Sequence, residues 1–207
     1  MKSLAVTLLA MVFSNSSIAD DGDNELEKIF AAQSAIESSQ SAFVQTRKLS
    51  LFDETIVARG TIFIEKPDFY CWVYEEPERS IFFVDGVRTG SYVPGSDERD
   101  EVSLESRIGL AAIIRSVTSI VTGNLEDATR SDYKISRNPT AGELLSYSFD
   151  PRTQELQSLF ERVTIRFDPV TLLARDLLIE EPSGDSTQIE FEGWHINIPI
   201  DRAVLLQ

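Results

Sequence analysis

The 207-residue chain has one cysteine, Cys71, and one histidine, His195. A single thiol excludes an intramolecular disulfide and any zinc site built from several thiolates, so the fold must be held by its core. With one imidazole, no HxxH or HExxH motif and no Cys-His ligand spacing can be written. Basic residues are also few, 19 against 34 acidic ones, for a net charge of −15. Such a surface is unsuited to a phosphate backbone, so nucleic acid is not expected as a partner; the charge serves solubility or attracts something basic. No apolar run reaches the ~20 residues that a transmembrane helix needs. Glycines occur singly at turns, which leaves no glycine-rich phosphate loop. The acidic group Asp97, Glu98 and Asp100 lacks the ligand spacing and glycine of a calcium loop.

Signs of catalysis are equally scarce. Glu75-Glu76 and Glu180-Glu181 each precede a proline at a strand end, where adjacent side chains point to opposite faces and cannot share acid and base roles. Cys71 lies between Tyr70 and Trp72 within a strand, where burial keeps a thiol protonated and inert. His195, next to Trp194 near a strand end, reads as structural. No catalytic residue, metal site or cofactor is indicated, and the chain does not read as an enzyme.

Lys2, an apolar run over residues 4–13 and Ser17-Ile18-Ala19 read as a secretory signal peptide over residues 1–19, cleaved after Ala19. No cysteine stands directly after that point to carry lipid, so residues 20–207 should be released as one unanchored domain. An amphipathic helix is expected over residues 24–38, with Leu26, Ile29, Phe30 and Ile36 near one stripe. Strands follow over residues 41–51 and 55–65, where Ile56, Ala58, Gly60, Ile62 and Ile64 share a face and Gly60 suggests a bulge.

The densest stretch is residues 60–86, aromatic and β-branched throughout. Alternation places Tyr70, Trp72 and Tyr74 on one face and Phe69, Cys71 and Val73 on the other, so the sheet needs cover on both sides. Asp85-Gly86 signals a hairpin. Over residues 105–122 the period changes: Leu110, Ile113, Ile114, Val117, Ile120 and Val121 form one helical stripe that must lie on a hydrophobic sheet face. From residue 132 five more strands alternate with turn signals such as Asp168-Pro169, giving about ten strands and two helices in all. An α+β domain that binds something apolar follows more naturally than an enzyme.

Several segments resemble the LolA family of periplasmic lipoprotein carriers in order and spacing. They are Phe43-Val44-Gln45, Gly60 opening a strand, Lys66-Pro67-Asp68-Phe69 with Trp72, Pro77-Glu78, Val84-Asp85-Gly86, and Tyr92 with Pro94. Later come Phe167-Asp168-Pro169 with Thr171-Leu172, residues 184–191, and Asn197. The resemblance implies a strongly bent antiparallel sheet, an incomplete β-barrel, whose hydrophobic cavity is covered by lid helices. It also implies a periplasmic carrier that takes acylated lipoproteins from an inner-membrane releasing complex and passes them to an outer-membrane acceptor. Family members usually carry arginine where Lys66 stands, which keeps the charge and loses the planar fork. The chain ends at Gln207, without the extension that often follows in the family, so its partner contacts are expected to differ.

On this reading Phe43, Ile62, Ile64, Trp72, Phe82, Leu110, Ile113, Ile114 and Val117 are the candidate cavity-lining residues, on a sheet face still to be settled. Lys66 is the candidate for tying strand to lid. The protein is read as a monomer. The alternatives are a lipid-sensing or interaction module of the same fold, or a carrier of glycolipid or phospholipid.

Overall fold

Tight turns such as Asp85-Gly86 and Ser183-Gly184-Asp185 join short runs of β-branched and aromatic residues, and chains built that way fold as antiparallel meanders. The computed structural model describes residues 19–52, 54–86, 88–95, 99–103, 131–139 and 142–206. Helix α1 (Ala19–Ser34) leads into β1 (Ser38–Leu49), β2 (Glu54–Glu65), β3 (Phe69–Glu76), β4 (Ser80–Asp85), β5 (Arg88–Tyr92) and β6 (Arg99–Ser103). A second meander comprises β7 (Tyr133–Arg137), β8 (Leu145–Pro151), β9 (Arg162–Phe167), β10 (Ala174–Glu180) and β11 (Ser186–Ile196). Short helices α2 (Gln154–Gln157) and α3 (Arg202–Leu205) complete the described elements.

All eleven described strands form one sheet in the order β6-β5-β4-β3-β2-β1-β11-β10-β9-β8-β7. The sequence suggests about ten. Every pairing is antiparallel, and β6 and β7 lie at opposite edges, so the sheet is an incomplete barrel within an α+β fold. Among the described strands the two meanders meet only where β1 pairs β11.

Expectation and structure differ at helix boundaries. The first helix starts at Ala19 and stops at Ser34, because Ser38 already begins β1. The expected helix over residues 105–122 lies outside the described residues, as do residues 1–18 of the expected leader.

Gly60 marks the bulge that its place in the strand suggests. The β2–β3 register shifts between Arg59 and Gly60, and a β-carbon on Gly60 would lie 2.0 Å from the Val73 carbonyl oxygen. The absent side chain leaves room for its two ladder partners: Phe43 and Tyr74, which flank Gly60 on β1 and β3, meet edge to face with ring centroids 5.3 Å apart.

Both sheet faces are covered. On the inner face, Leu26, Ile29 and Phe30 of α1 pack into a core with Phe43, Ile62, Tyr147 and Phe191. On the outer face Phe69, Cys71, Ile81, Phe83 and Tyr92 form a second core, capped by Ile200, Leu205 and Leu206 of the C-terminal segment. Arg202 fastens that cap. Its Nε and Nη1 donate to Glu65 and Asp85, and its guanidinium lies 4.6 Å from the centre of the Phe69 ring.

Candidate functional site

Pairing register decides which residues share the inner face. Ile62, Trp72 and Phe82 stand directly opposite one another on β2, β3 and β4, and Ile64, Tyr70 and Val84 form the next row. Phe43 faces Gly60 on β1 and packs edge to face on Trp72, with centroids 4.9 Å apart. The described candidates Phe43, Ile62, Ile64, Trp72 and Phe82 therefore lie on one face, the face that α1 covers. Phe43, Ile62 and Ile64 are buried, whereas Trp72 and Phe82 are half-buried. Leu110, Ile113, Ile114 and Val117 lie outside the described residues.

The apolar surface continues across the seam. Phe191 opposes Phe43, and Ile189, Leu177 and Ile165 extend the row over β11, β10 and β9. These contributors went unnamed at the sequence level, although the alternation in residues 163–167 carries their signal. A polar contact sits beside them: the Tyr74 hydroxyl donates to Gln45 Oε1 at 3.1 Å, and burial raises its phenol above the ordinary tyrosine value.

Helix α1 is fastened to this face at its middle and at its C-terminal end. Near its middle, Glu25 Oε2 accepts from the Tyr147 hydroxyl at 2.6 Å and from Arg137 Nε at 2.8 Å. Burial alone would push the Glu25 carboxyl up, but those hydrogen bonds and the charges of Arg137 and Lys28 outweigh it and hold it below the usual glutamate value. At the C-terminal end Lys66 Nζ donates to the carbonyls of Ser34 at 2.8 Å and Gln33 at 3.1 Å. A cation there meets carbonyls that have no partner within the helix. Burial lowers the Lys66 ammonium below the ordinary lysine value, and the Glu37 charge partly opposes this. The Gln33 amide adds a bond to the Leu172 carbonyl, and Leu172 is in the left-handed region at φ 58°.

Beside this end of α1 a small pocket opens between Gln33, Glu37, Ser39, Lys66, Trp194 and Ile196. Asn197, at φ 53°, shapes its rim: Oδ1 accepts from the Glu37 N–H at 2.9 Å and its own N–H donates to Ser38 O at 2.6 Å. Cys71 lies on the outer face, fully buried, with its thiol pushed up to about 12 by burial. His195 is exposed opposite Gln40. Among the described residues no group of three or more His, Cys, Asp or Glu is placed to hold a metal ion.

These features define an α+β incomplete barrel with an apolar inner face roofed by a tethered helix. The sequence matches the family described as outer membrane lipoprotein carrier protein LolA over residues 34–204, and the chain belongs to that family. Its fold is similar to that of an uncharacterized conserved protein from Thermus thermophilus, at TM-score 0.50 and 9% identity, over 91% of this chain and 93% of that one. It is similar to MucB at TM-score 0.50 and 16% identity, covering 90% of this chain and 62% of the MucB chain. Lipoprotein LppX of Mycobacterium tuberculosis aligns at TM-score 0.48 and 12% identity, over 88% and 98% of the two chains. No curated protein matches by sequence.

Proposed function

We propose that this protein is a periplasmic carrier that shelters the acyl chains of lipoproteins, or of related lipidated cargo, beneath α1 and passes them towards the outer membrane. The observation that carries this reading is the apolar inner face, from Phe82 across Phe43 to Ile165, closed by a helix held through side-chain hydrogen bonds at its middle and its C-terminal end. Each methylene taken out of water contributes about 0.8 kcal/mol, so a multiply acylated molecule needs such a shelter to cross an aqueous space. Contacts of α1 with the sheet and contacts of acyl chains with the same residues are alternatives, which makes the helix a two-state lid. Leu110, Ile113, Ile114 and Val117 are proposed to complete the roof from their own helix. The leader read at residues 1–19 delivers the protein to the periplasm, where an inner-membrane releasing complex loads it and an outer-membrane acceptor unloads it.

Native and denaturing mass spectrometry of protein taken from a periplasmic extract tests this. Acylated protein in stoichiometric amount, lost from Phe82→Asp and Ile114→Asp variants that remain folded, is the expected result. Free phospholipid or glycolipid in its place would change the cargo, and a reproducibly empty protein would overturn the carrier reading in favour of an interaction module.

A further inference from the structure

The residues between β1 and β2 are Ser50-Leu51-Phe52-Asp53, and Leu51 and Phe52 are 83% and 66% exposed. Turns ordinarily carry Gly, Asn, Asp, Ser or Pro. A lone exposed apolar side chain needs no explanation, but here two large ones are adjacent at an apex. Behind them on β2, Ile56 and Val57 are also partly in water.

The apex is braced. The Ser50 N–H donates to Asp185 Oδ1 at 2.9 Å, and the Ser50 hydroxyl lies 3.0 Å from both that oxygen and the Ser183 carbonyl. Phe52 N–H closes the turn onto the Leu49 carbonyl at 3.3 Å. Arg47 Nη2 reaches Glu181 at 3.2 Å and Asp185 at 3.7 Å, tying the root of the hairpin to the same β10–β11 turn. Every one of these contacts fixes the backbone beside Leu51 and Phe52 and leaves the two side chains outward.

We propose that Leu51 and Phe52 are a membrane-contact tip that enters the interface of a zwitterionic lipid surface. A second copy of the chain does not fit. A stable protein interface takes about 800 Å² from each partner, more than an apex of this size offers, and copies carrying a net charge of −15 repel. A lipid interface closes around a convex tip without needing a matching pocket. The ladder is paired to its last rung, Leu49 with Glu54, so entry of the apex leaves few backbone groups to desolvate. Around the root Glu54, Glu181 and Asp185 outnumber Arg47 and Lys48, which leaves no basic excess to draw an anionic surface and commits the contact to apolar insertion and to weak salt dependence. The tip lies the full length of β1 from the Lys66 end of α1. This inference stands whether or not the hollow takes lipid.

The test is flotation of the purified protein, its N-terminus fixed by mass spectrometry, with phosphatidylcholine vesicles at low and high salt. Wild type should float in part at both, and the L51E/F52E double variant should bind at least about tenfold more weakly with an unchanged melting temperature. Equal flotation of the two proteins, no flotation of wild type, or binding abolished by salt would overturn the proposal. Self-association of lipid-free wild type that the double variant lacks would overturn it in favour of a copy-to-copy contact.

Discussion

The ammonium of Lys66 lies 2.8 Å from the carbonyl oxygen of Ser34, so a side chain at the end of β2 closes the last turn of α1. Lys66→Ala should remove about 1 kcal/mol from the docking of α1. Amides of residues 26–34 should then exchange several-fold faster in hydrogen-exchange mass spectrometry, while the sheet is unaffected. Lys66→Arg should restore protection, since its fork can reach both carbonyls. Unchanged exchange in the alanine variant would remove Lys66 from any part in lid closure.

Glu25 links the docking of α1 to acidity. Its carboxyl titrates below the ordinary glutamate value of 4.5 in the folded protein, so its stabilisation is complete above that value and lost as pH falls through the lowered one. Thermal melting of wild type should therefore steepen in its acid dependence there, and Glu25→Gln should flatten that limb while lowering stability at neutral pH. Parallel acid limbs for the two proteins would show that the Tyr147 and Arg137 contacts do not depend on the charge.

Gly60→Ala tests how closely β2 and β3 approach. The obstructing atom is the backbone oxygen of Val73, which cannot rotate away, so the variant should lose at least about 2 kcal/mol in chemical denaturation. Wild-type stability would mean that the strands can part there at no cost.

Cys71 offers an internal probe of the outer core. With its thiol raised to about 12 and its side chain buried, it should resist Ellman's reagent at mildly alkaline pH in the native state. One thiol per chain should react in denaturant. Arg202→Ala, which frees the C-terminal cap from Glu65 and Asp85, should speed native-state labelling several-fold.

What could be read in the sequence was what rests on local period. The alternation of Tyr70, Trp72 and Tyr74 with Phe69, Cys71 and Val73, and the bulge at Gly60, depend on the pleat and on the absence of a β-carbon. Which face is inner was not legible, because both sets are apolar and only pairing with Ile62, Phe82 and Phe43 decides. The end of α1 was misplaced for a similar reason. Its stop is set by Lys66, Asn197 and the start of β1, all distant in sequence from the helix or outside its period. The outer cap escaped notice because α3 has four residues, too few for any period to show. The strand after the Asp168-Pro169 turn signal begins only at Ala174, because Leu172 has a positive φ. Lys66 was expected to tie strand to lid; what the structure shows is its ammonium on the last carbonyls of the first helix.

The placement of β1 beside β11 governs how the chain must assemble. Ser41 and Glu192, bonded across that seam, are 151 residues apart, whereas the other ladders are hairpins or short returns between consecutive strands. Among the described strands, closing the seam is the step with the large loop-entropy cost, and such steps are slow. Each meander can form by local contacts first, with half of the apolar face exposed until the other arrives. During that interval a nascent chain is a sticky open sheet with two unpaired central edges, so the period before the seam zips is when aggregation competes most strongly with folding.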